Sequence, residues 1–229
     1  LVRNDRVIWA SCMVACGDAD GAVTGNTRRF GASLDKITQV IDARPGEIMF
    51  GLNMVVAKGK TIFVGDTSVN EYPSSEELAE IAISSARVVK LFGFVPKVAF
   101  VSHSTFGQPL TNRTKHIKRA VEILKNKDVD FDFDGDMQPD VALNVEYKEL
   151  YPFSSIVGNA NILIMPGQHS AAISYKMMKS LGNTKVIGPL LIGLGQPIEI
   201  APLRSSTSEI INLASVAAYS ADVIDYKKN

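Results

Sequence analysis

The segment Pro73-Ser74-Ser75-Glu76-Glu77-Leu78-Ala79-Glu80-Ile81-Ala82, followed by the apolar run Lys97-Val98-Ala99-Phe100-Val101, decides the fold class. Ser74 and Glu77 stand at the spacing of a capping box, which predicts that a helix begins here. Apolar residues then recur at helical spacing as far as Gly93, the predicted C-cap. The apolar run is typical of a buried strand. A long helix that leads directly into a buried strand favours an α/β protein.

The same alternation continues along the chain. Further helices are predicted at 7–15, 31–41, 115–126, 170–181 and 206–220, and strands at 22–24, 48–56, 61–65, 161–165 and 185–188. The strands that flank Lys58-Gly59-Lys60 are predicted to form a hairpin. Repeated strand-helix units predict mostly parallel sheets covered on both faces, with ligands at the carboxyl ends of the strands.

The composition excludes several classes of function. Twenty-four basic and 24 acidic residues cancel, so no net field attracts nucleic acid or an anionic membrane. No apolar run approaches the roughly 20 residues of a transmembrane helix, and no secretory signal pattern is present. Cys12 and Cys16 lack metal or redox spacing and are interpreted as reduced, packed thiols. We therefore expect a cytoplasmic protein without nucleic-acid or membrane partners.

The stretch Ser102-His103-Ser104-Thr105-Phe106-Gly107 is a candidate anion site. It follows a predicted strand, offers three hydroxyl groups and an imidazole, and contains a glycine that allows the backbone to approach a ligand closely. A phosphate or diphosphate could bind there. The alternative is a polar turn whose hydroxyl groups cap neighbouring backbone. The residues alone leave both interpretations open.

The glycine-rich stretch Gly188-Pro189-Leu190-Leu191-Ile192-Gly193-Leu194-Gly195 also follows a predicted strand. It fits neither the dinucleotide fingerprint nor the P-loop, so the chain itself is not expected to bind a nicotinamide cofactor or a nucleoside triphosphate. Its glycines could border a ligand, or they could let strand and helix pack closely.

Asp134, Asp136 and Asp140 lie in a segment whose apolar residues are spaced like a half-buried helix. The glycine and the distal glutamate of a calcium loop do not follow, so the sequence predicts no metal site. We interpret these carboxylates as the acidic entrance of a helix.

The stretch before the last predicted helix carries a possible acid-base pair, Arg204 and Glu209. Arg204 could neutralise phosphate and Glu209 could act as a base toward a thiol. Alternatively, Ser206 and Glu209 form a capping box, which is a purely structural role.

Taken together, these segments resemble the phosphate acetyl/butyryltransferase family in order and spacing over nearly the whole chain. The resemblance runs from Ala19-Asp20-Gly21 through Asp66 and the Pro73 helix start to Asn212-Leu213-Ala214. It implies two α/β domains with mostly parallel sheets and acetyl-CoA and phosphate in the cleft between them. By this resemblance the first domain would be truncated at its N-terminus. The chain opens with neither Met nor a helix cap, so we expect a fragment of a longer polypeptide. The implied bounds are 1–72 for the rest of the first domain, 73–200 for the second, and 201–229 for a helix returning to the first.

The chain departs from the family's catalytic pattern. Pro202-Leu203 stand where the family has Ser-Arg, Glu209 stands where it has Asp, and Asp35 stands where it has a phosphate-binding Arg. Ala172 likewise stands where Asn is common. These departures put transferase activity in doubt.

The chain is most similar to one branch of the family, the phosphotransacetylase-like C-terminal domain of bacterial NADP-dependent malic enzymes. The similarity rests on Gly17-Asp18-Ala19-Asp20, Thr27-Arg28-Arg29-Phe30, Ala43-Arg44-Pro45-Gly46, Asp66-Thr67-Ser68-Val69-Asn70 and Ser102-His103-Ser104. It implies an acetyl-CoA-sensing and oligomerisation module without transferase activity. Oxidative decarboxylation of malate to pyruvate, with NADP and a divalent metal, would take place in upstream domains that are absent here.

The resemblance implies a set of site residues, with acetyl-CoA or CoA as the ligand and a homo-oligomer as the assembly. The cleft would be lined by Ser102, Ser104, Thr105, Gly107 and Gly193, with Arg28 and Arg29 as candidate contacts for the CoA phosphates or for a neighbouring subunit. The alternative is an active phosphate acetyltransferase that uses Arg204 and Glu209. A third hypothesis is a scaffold that binds no ligand.

Overall fold

The computed structural model describes residues 2–223, so residues 1 and 224–229 of the predicted domains lie outside the described part. A short 3-10 turn at Val2–Asn4 precedes the first helix. The helices are α1 Arg6–Ala15, α2 Phe30–Ile37, α3 Ser75–Leu91, α4 Asn112–Lys125, α5 Pro139–Leu143, α6 Val145–Lys148, α7 Gln168–Leu181 and α8 Thr207–Val223. The strands are β1 Ala22–Gly25, β2 Phe50–Ala57, β3 Lys60–Gly65, β4 Lys97–Val101, β5 Asp132–Met137, β6 Ile162–Ile164, β7 Thr184–Ile192 and β8 Ile198–Ala201.

The chain divides into two compact units. Unit 1 comprises Leu1–Gly51 and Ile187–Asn229, and unit 2 comprises Leu52–Val186. The boundaries therefore fall after residues 51 and 186, whereas the sequence predicts them after 72 and 200. Backbone pairing explains the difference. Strand β3 pairs with β6 inside unit 2, and β8 pairs with β1 inside unit 1.

Both sheets have the predicted α/β character. The larger sheet has the strand order β5-β4-β6-β3-β2-β7, and the smaller is the pair β1-β8. Strands β4, β5, β6 and β3 pair in parallel, as do β1 and β8. Strands β2 and β3 form the antiparallel hairpin predicted around Lys58-Gly59-Lys60. The prediction of mostly parallel sheets is confirmed.

Helix α3 begins as the sequence predicts. The Ser74 hydroxyl accepts a hydrogen bond from the Glu77 backbone N–H at 3.1 Å, and Glu77 Oε2 accepts one from the Ser74 N–H at 2.6 Å. This capping box satisfies two backbone donors that a helix start leaves unpaired, a contribution of about 1 kcal/mol. Leu78, Ile81 and Ala82 are fully buried on the inner face of the helix.

The core of unit 2 is built from the strand centres and the helices that cover them. Phe63, Phe100, Ile162 and Ile164 on the strands, with Ile117 on α4, are at most 1% exposed. Parallel strands buried on both faces explain why these segments consist almost entirely of apolar residues.

The acidic segment before residue 138 is a strand, so the helical interpretation of it is wrong. Residues 132–137 form β5, and only Asp140 lies in a helix, in the first turn of α5. Parallel pairing with β4, with Lys97 opposite Asp132 and Ala99 opposite Asp134, overrides the helical spacing. The buried carboxylate of Asp134 is satisfied by backbone N–H groups of Gly135 and Ser155 at 2.9 and 2.7 Å.

Unit 1 packs its helices against the β1-β8 pair. Asp5 caps α1, because its Oδ1 accepts hydrogen bonds from the N–H groups of Val7 at 2.9 Å and Ile8 at 3.4 Å. Strand β8 is not predicted from the sequence. Its four residues are all buried, including Glu199.

Candidate functional site

Three loops leave the same edge of the larger sheet. Gly65 of β3 pairs in register with Ile164 of β6, and Ile164 pairs with Phe100 of β4. Because these strands are parallel neighbours, the loops that follow them at 66–70, 102–107 and 166–168 start side by side. This edge is where the sequence predicts a ligand site in unit 2.

The loop 102–107 is organised around a buried carboxylate. The Ser104 hydroxyl donates to Asp136, and the Gly107 N–H donates to Asp136 Oδ1 at 3.0 Å. Ser104 is fully buried and Asp136 is 1% exposed. Two of the donors predicted to face an anion are therefore directed at the protein's own carboxylate. Asp136 holds the loop in shape, a role that the sequence alone does not indicate.

The remaining members of this loop are held by neighbouring polar groups. Ser102 Oγ lies 3.3 Å from Ser104 Oγ, and Thr105 Oγ1 accepts from the Gln138 N–H at 3.3 Å. The Gln138 amide donates in turn to the His103 carbonyl at 3.2 Å. Ser102 and Thr105 are buried, whereas the His103 side chain is exposed. Of the predicted contacts here, Ser102, Ser104, Thr105 and Gly107 are indeed brought together in one loop.

The loop after β3 is a second polar turn. Asp66 Oδ1 accepts from the N–H groups of Ser68 at 2.8 Å and Val69 at 3.2 Å, and Oδ2 accepts from the Asn70 N–H and side-chain amide at 2.5 and 2.8 Å. The Thr67 hydroxyl lies 3.4 Å from Asn53 Oδ1. The sequence Asp-Thr-Ser-Val-Asn predicts such a turn, because an Asp carboxylate readily accepts a hydrogen bond from the backbone N–H two residues later in the chain.

Unit 1 contains a cavity of about 330 Å³ at the carboxyl end of β1. Arg6 and Arg28 contribute its charged lining, and Thr24 and Asn26 contribute hydroxyl and amide groups. Val7, Val23 and Ile210 belong to its apolar lining. Arg28, predicted from the resemblance as a phosphate contact, thus borders a concave site, whereas Arg6 was not singled out from the sequence.

An ion pair fixes Arg28 beside this cavity. Arg28 Nη1 donates to Asp5 Oδ2 at 2.7 Å. The hydrogen bond from Arg28 lowers the pKa of Asp5 below its ordinary value, against the opposing effect of burial. Arg29 is the residue immediately before α2, and its side chain is exposed.

The candidate acid-base pair lies at the start of α8. Glu209 Oε2 accepts from the Ser206 N–H at 2.8 Å and from the Ser206 hydroxyl at 2.9 Å, and Ser206 Oγ accepts from the Glu209 N–H at 3.3 Å. This is the capping arrangement that the sequence offers as the alternative role. Arg204 is exposed, has a left-handed backbone with φ of 61°, and donates its N–H to the Asn26 carbonyl at 3.0 Å.

Gly193 has a clear structural reason to be glycine. Its φ is 83°, and a Cβ at this position would lie 2.1 Å from the Ile48 carbonyl oxygen. Its own carbonyl accepts from the Arg44 N–H at 2.9 Å. Close backbone packing, the alternative to ligand contact, therefore accounts for this residue.

Glu199 is a buried acid that sequence reasoning missed. It is 4% exposed on β8, and its Oε2 accepts from the Leu191 N–H at 3.0 Å. Burial raises the pKa of Glu199 to about 8, and the Leu191 hydrogen bond opposes this only partly. The carboxyl is therefore mainly protonated at neutral pH.

Neither a metal cluster nor a membrane-spanning helix is found within residues 2–223. No group of three or more His, Cys, Asp or Glu side chains in this range is arranged to hold a metal ion. Nor does any helix in the range have the length and apolar character needed to cross a bilayer.

Comparison with known proteins identifies the family. The model of the family "Phosphate acetyl/butaryl transferase" matches residues 1–218. NADP-dependent malic enzymes from Rhizobium meliloti and Escherichia coli are 46% and 33% identical over 96% of this chain, which spans only 29% of each of them. A phosphate acetyltransferase from Bacillus subtilis is 33% identical over 95% of the chain and 68% of its own length.

Solved structures agree with this assignment. A phosphotransacetylase from Streptococcus pyogenes superposes with a TM-score of 0.88 at 30% identity, covering 94% of this chain and 67% of that one. The EutD phosphotransacetylase from Staphylococcus aureus gives a TM-score of 0.85 at 28% identity, with the same two coverages. The chain therefore belongs to the phosphate acetyl/butaryl transferase family.

Proposed function

We propose that this chain is the phosphotransacetylase-like part of an NADP-dependent malic enzyme, and that it binds acetyl-CoA or a related CoA ester without transferring the acetyl group. The parent enzyme would decarboxylate malate oxidatively to pyruvate in the cytoplasm, with NADP and a divalent metal bound in domains outside this chain. The malic enzymes named above support this proposal, because the chain corresponds to a segment of about 30% of their length.

The hydrogen bonds between Glu209 and Ser206 are the main support for the proposal that the chain does not transfer the acetyl group. A general base for a thiol needs a carboxylate oxygen that can reach the thiol proton. Here Glu209 Oε2 already accepts from both the N–H and the hydroxyl of Ser206. Pro202 and Leu203 precede it, and neither side chain can neutralise a phosphate.

Binding without transfer remains chemically reasonable. The polar loop 102–107 in unit 2 is preorganised by Asp136. We propose that Ser102 and Thr105 of this loop contact the CoA ester, while Ser104 and Gly107 maintain the backbone around it. Bound ester would then act on the parent enzyme through unequal affinity for two states of a homo-oligomer.

A direct assay tests the loss of transfer. The chain is incubated with acetyl-CoA and inorganic phosphate, and acetyl phosphate is trapped with hydroxylamine as the hydroxamate; the melting temperature is measured with and without acetyl-CoA. The proposal predicts a rise in melting temperature and no hydroxamate above the blank. A rise without any concentration dependence, or no rise up to millimolar acetyl-CoA, would contradict binding.

The alternative, an active phosphate acetyltransferase, is favoured by one observation. The Arg204 backbone N–H donates to the Asn26 carbonyl, which fixes the backbone of this arginine five residues before Glu209, which lies in the first turn of α8. If hydroxamate forms and the change Arg204→Ala abolishes it while Arg119→Ala on α4 does not, the alternative is correct.

A further inference from the structure

The cavity of unit 1 is lined by two arginines and by several polar and apolar residues. It lies among α1, β1, the loop after β1 and α8, and it is lined entirely by residues of unit 1. Its volume of about 330 Å³ is at the lower end of the range for small-molecule sites. Such a volume suits a compact ligand of a few carbon atoms rather than a nucleotide.

Two guanidinium groups give the cavity a preference for anions. Arg6 is an exposed residue at the start of α1, and it lines the cavity. Arg28 uses one N–H on Asp5, and a guanidinium carries five N–H donors in a planar fork. A carboxylate can accept two of these donors at once, which favours it over a halide or other spherical anion.

Two polar atoms in the lining lack hydrogen-bond partners. Thr24 Oγ1 and Asn26 Oδ1 are buried, and neither is bonded to another described group. A buried polar atom without a partner costs about 1 to 3 kcal/mol. Asn26 Oδ1 is an acceptor, so it needs a ligand that carries a donor, whereas the Thr24 hydroxyl can donate or accept; both residues line the cavity.

The apolar lining completes the chemical description. Val7, Val23 and Ile210 offer apolar contacts to a short carbon chain. The lining includes no acidic residue that would pair with a positively charged group on the ligand. A ligand that satisfies all three surfaces has a carboxylate, a hydroxyl group and a small hydrocarbon part.

We propose that the cavity of unit 1 binds a small hydroxy carboxylate, with its carboxylate on Arg6 and Arg28 and its hydroxyl group on Thr24 and Asn26. This goes beyond the binding of a CoA ester by the loop 102–107, because the ligand is of another chemical class and all its contacts lie in unit 1. It would be a second ligand site on the same chain.

Calorimetric titration of the full chain with three probes tests the assignment. Lactate carries both groups, propionate differs from it only in lacking the hydroxyl, and inorganic phosphate tests for a general oxyanion site. We expect lactate to bind about tenfold more tightly than propionate, since each hydrogen bond to a buried polar group contributes about that factor or less. Equal affinities for lactate and propionate, tighter binding of phosphate, or no binding of lactate at millimolar concentration would overturn the proposal.

Two variants and a control separate binding from folding. Arg6→Gln should weaken lactate binding at least about fivefold, whereas Arg119→Gln, at an exposed position on α4, should leave it unchanged. Thr24→Val removes an unpartnered buried hydroxyl without changing its shape. It should leave the melting temperature equal or higher, yet reduce the preference for lactate over propionate. An unchanged preference in Thr24→Val, in a chain that melts normally, would contradict the assigned role of the hydroxyl.

Discussion

Asp136 and Ser104 form a buried hydrogen bond that ties strand β5 to the loop after β4. Asp136 also accepts from the Gly107 N–H, so one carboxylate fixes both ends of the turn. Asp136 thus maintains the loop that the proposed CoA-ester site uses.

Replacing this carboxylate should destabilise unit 2. Asp136→Ala leaves the Ser104 hydroxyl and the Gly107 N–H without their acceptor, and we expect the free energy of unfolding to fall by about 3 kcal/mol. Urea denaturation measures the change. Asp140→Ala, at an exposed position on α5, is the control and should cost less than about 1 kcal/mol. Equal losses in the two variants would show that Asp136 does not hold the loop.

Glu199 should make stability depend on pH. Because burial raises its pKa to about 8 from 4.5, the folded chain holds a proton that the unfolded chain releases between these values. The stability contributed by the neutral carboxyl is therefore fully present below pH 4.5 and is lost as the pH rises to about 8, a loss on the order of 5 kcal/mol.

Glu199→Gln should remove this dependence, since the amide oxygen still accepts from the Leu191 N–H and carries no charge. The melting temperatures of both chains are compared at pH 5, 7 and 9, with the exposed Glu122→Gln as control. The gap between wild type and Glu199→Gln should widen with pH. A constant gap would mean that Glu199 does not titrate in this window.

The start of α8 provides a separate test of the Glu209 side chain. Ser206→Ala removes the cap and should lower the free energy of unfolding by about 1 kcal/mol. Glu209→Gln keeps an acceptor for the Ser206 N–H and should change it by less than about 0.5 kcal/mol. Thermal denaturation of both variants beside Ser208→Ala, an exposed neighbour, checks this order. A large loss in Glu209→Gln would assign its charge a role beyond the cap.

Helix α7 offers a surface for the proposed homo-oligomer. Ile173, Met177 and Leu181 recur every four residues and are 50%, 55% and 82% exposed. An apolar stripe of this kind is typical of a contact between proteins. Met177→Lys combined with Leu181→Lys should reduce the mass measured by light scattering after gel filtration to that of one chain. Ile211→Lys, an equally exposed apolar position on α8, should not. A wild-type chain of monomeric mass would contradict self-association.

Local signals predicted the elements that depend on neighbours in sequence. The capping box of Ser74 and Glu77 and the hairpin at Lys58-Gly59-Lys60 are set by residues a few positions apart, and both are present. The strand β5 was missed because Asp-Phe-Asp-Gly-Asp-Met is too polar to read as a buried strand. Its carboxylates become acceptable only where Ser155, Ser104 and Gly107 supply donors.

The site was predicted only in part, because some of its residues are far apart in the sequence and meet only in the fold. The loop 102–107 could be located from its composition, but Asp136, which shapes it, lies 32 residues from Ser104. Arg6 and Thr24 join Arg28 around one cavity only after α1 packs on β1. Glu199 gave no signal, because a charged residue in a four-residue strand ordinarily faces solvent.

Phosphorus NMR tests the central claim most directly, because one sample reports both binding and chemistry. Acetyl-CoA and inorganic phosphate are mixed with the full chain at comparable concentration, and the spectrum is followed over hours. The account predicts that the CoA phosphate resonances broaden or shift while no acetyl phosphate resonance grows. An acetyl phosphate resonance that grows with time, and disappears in Arg204→Ala, would contradict it.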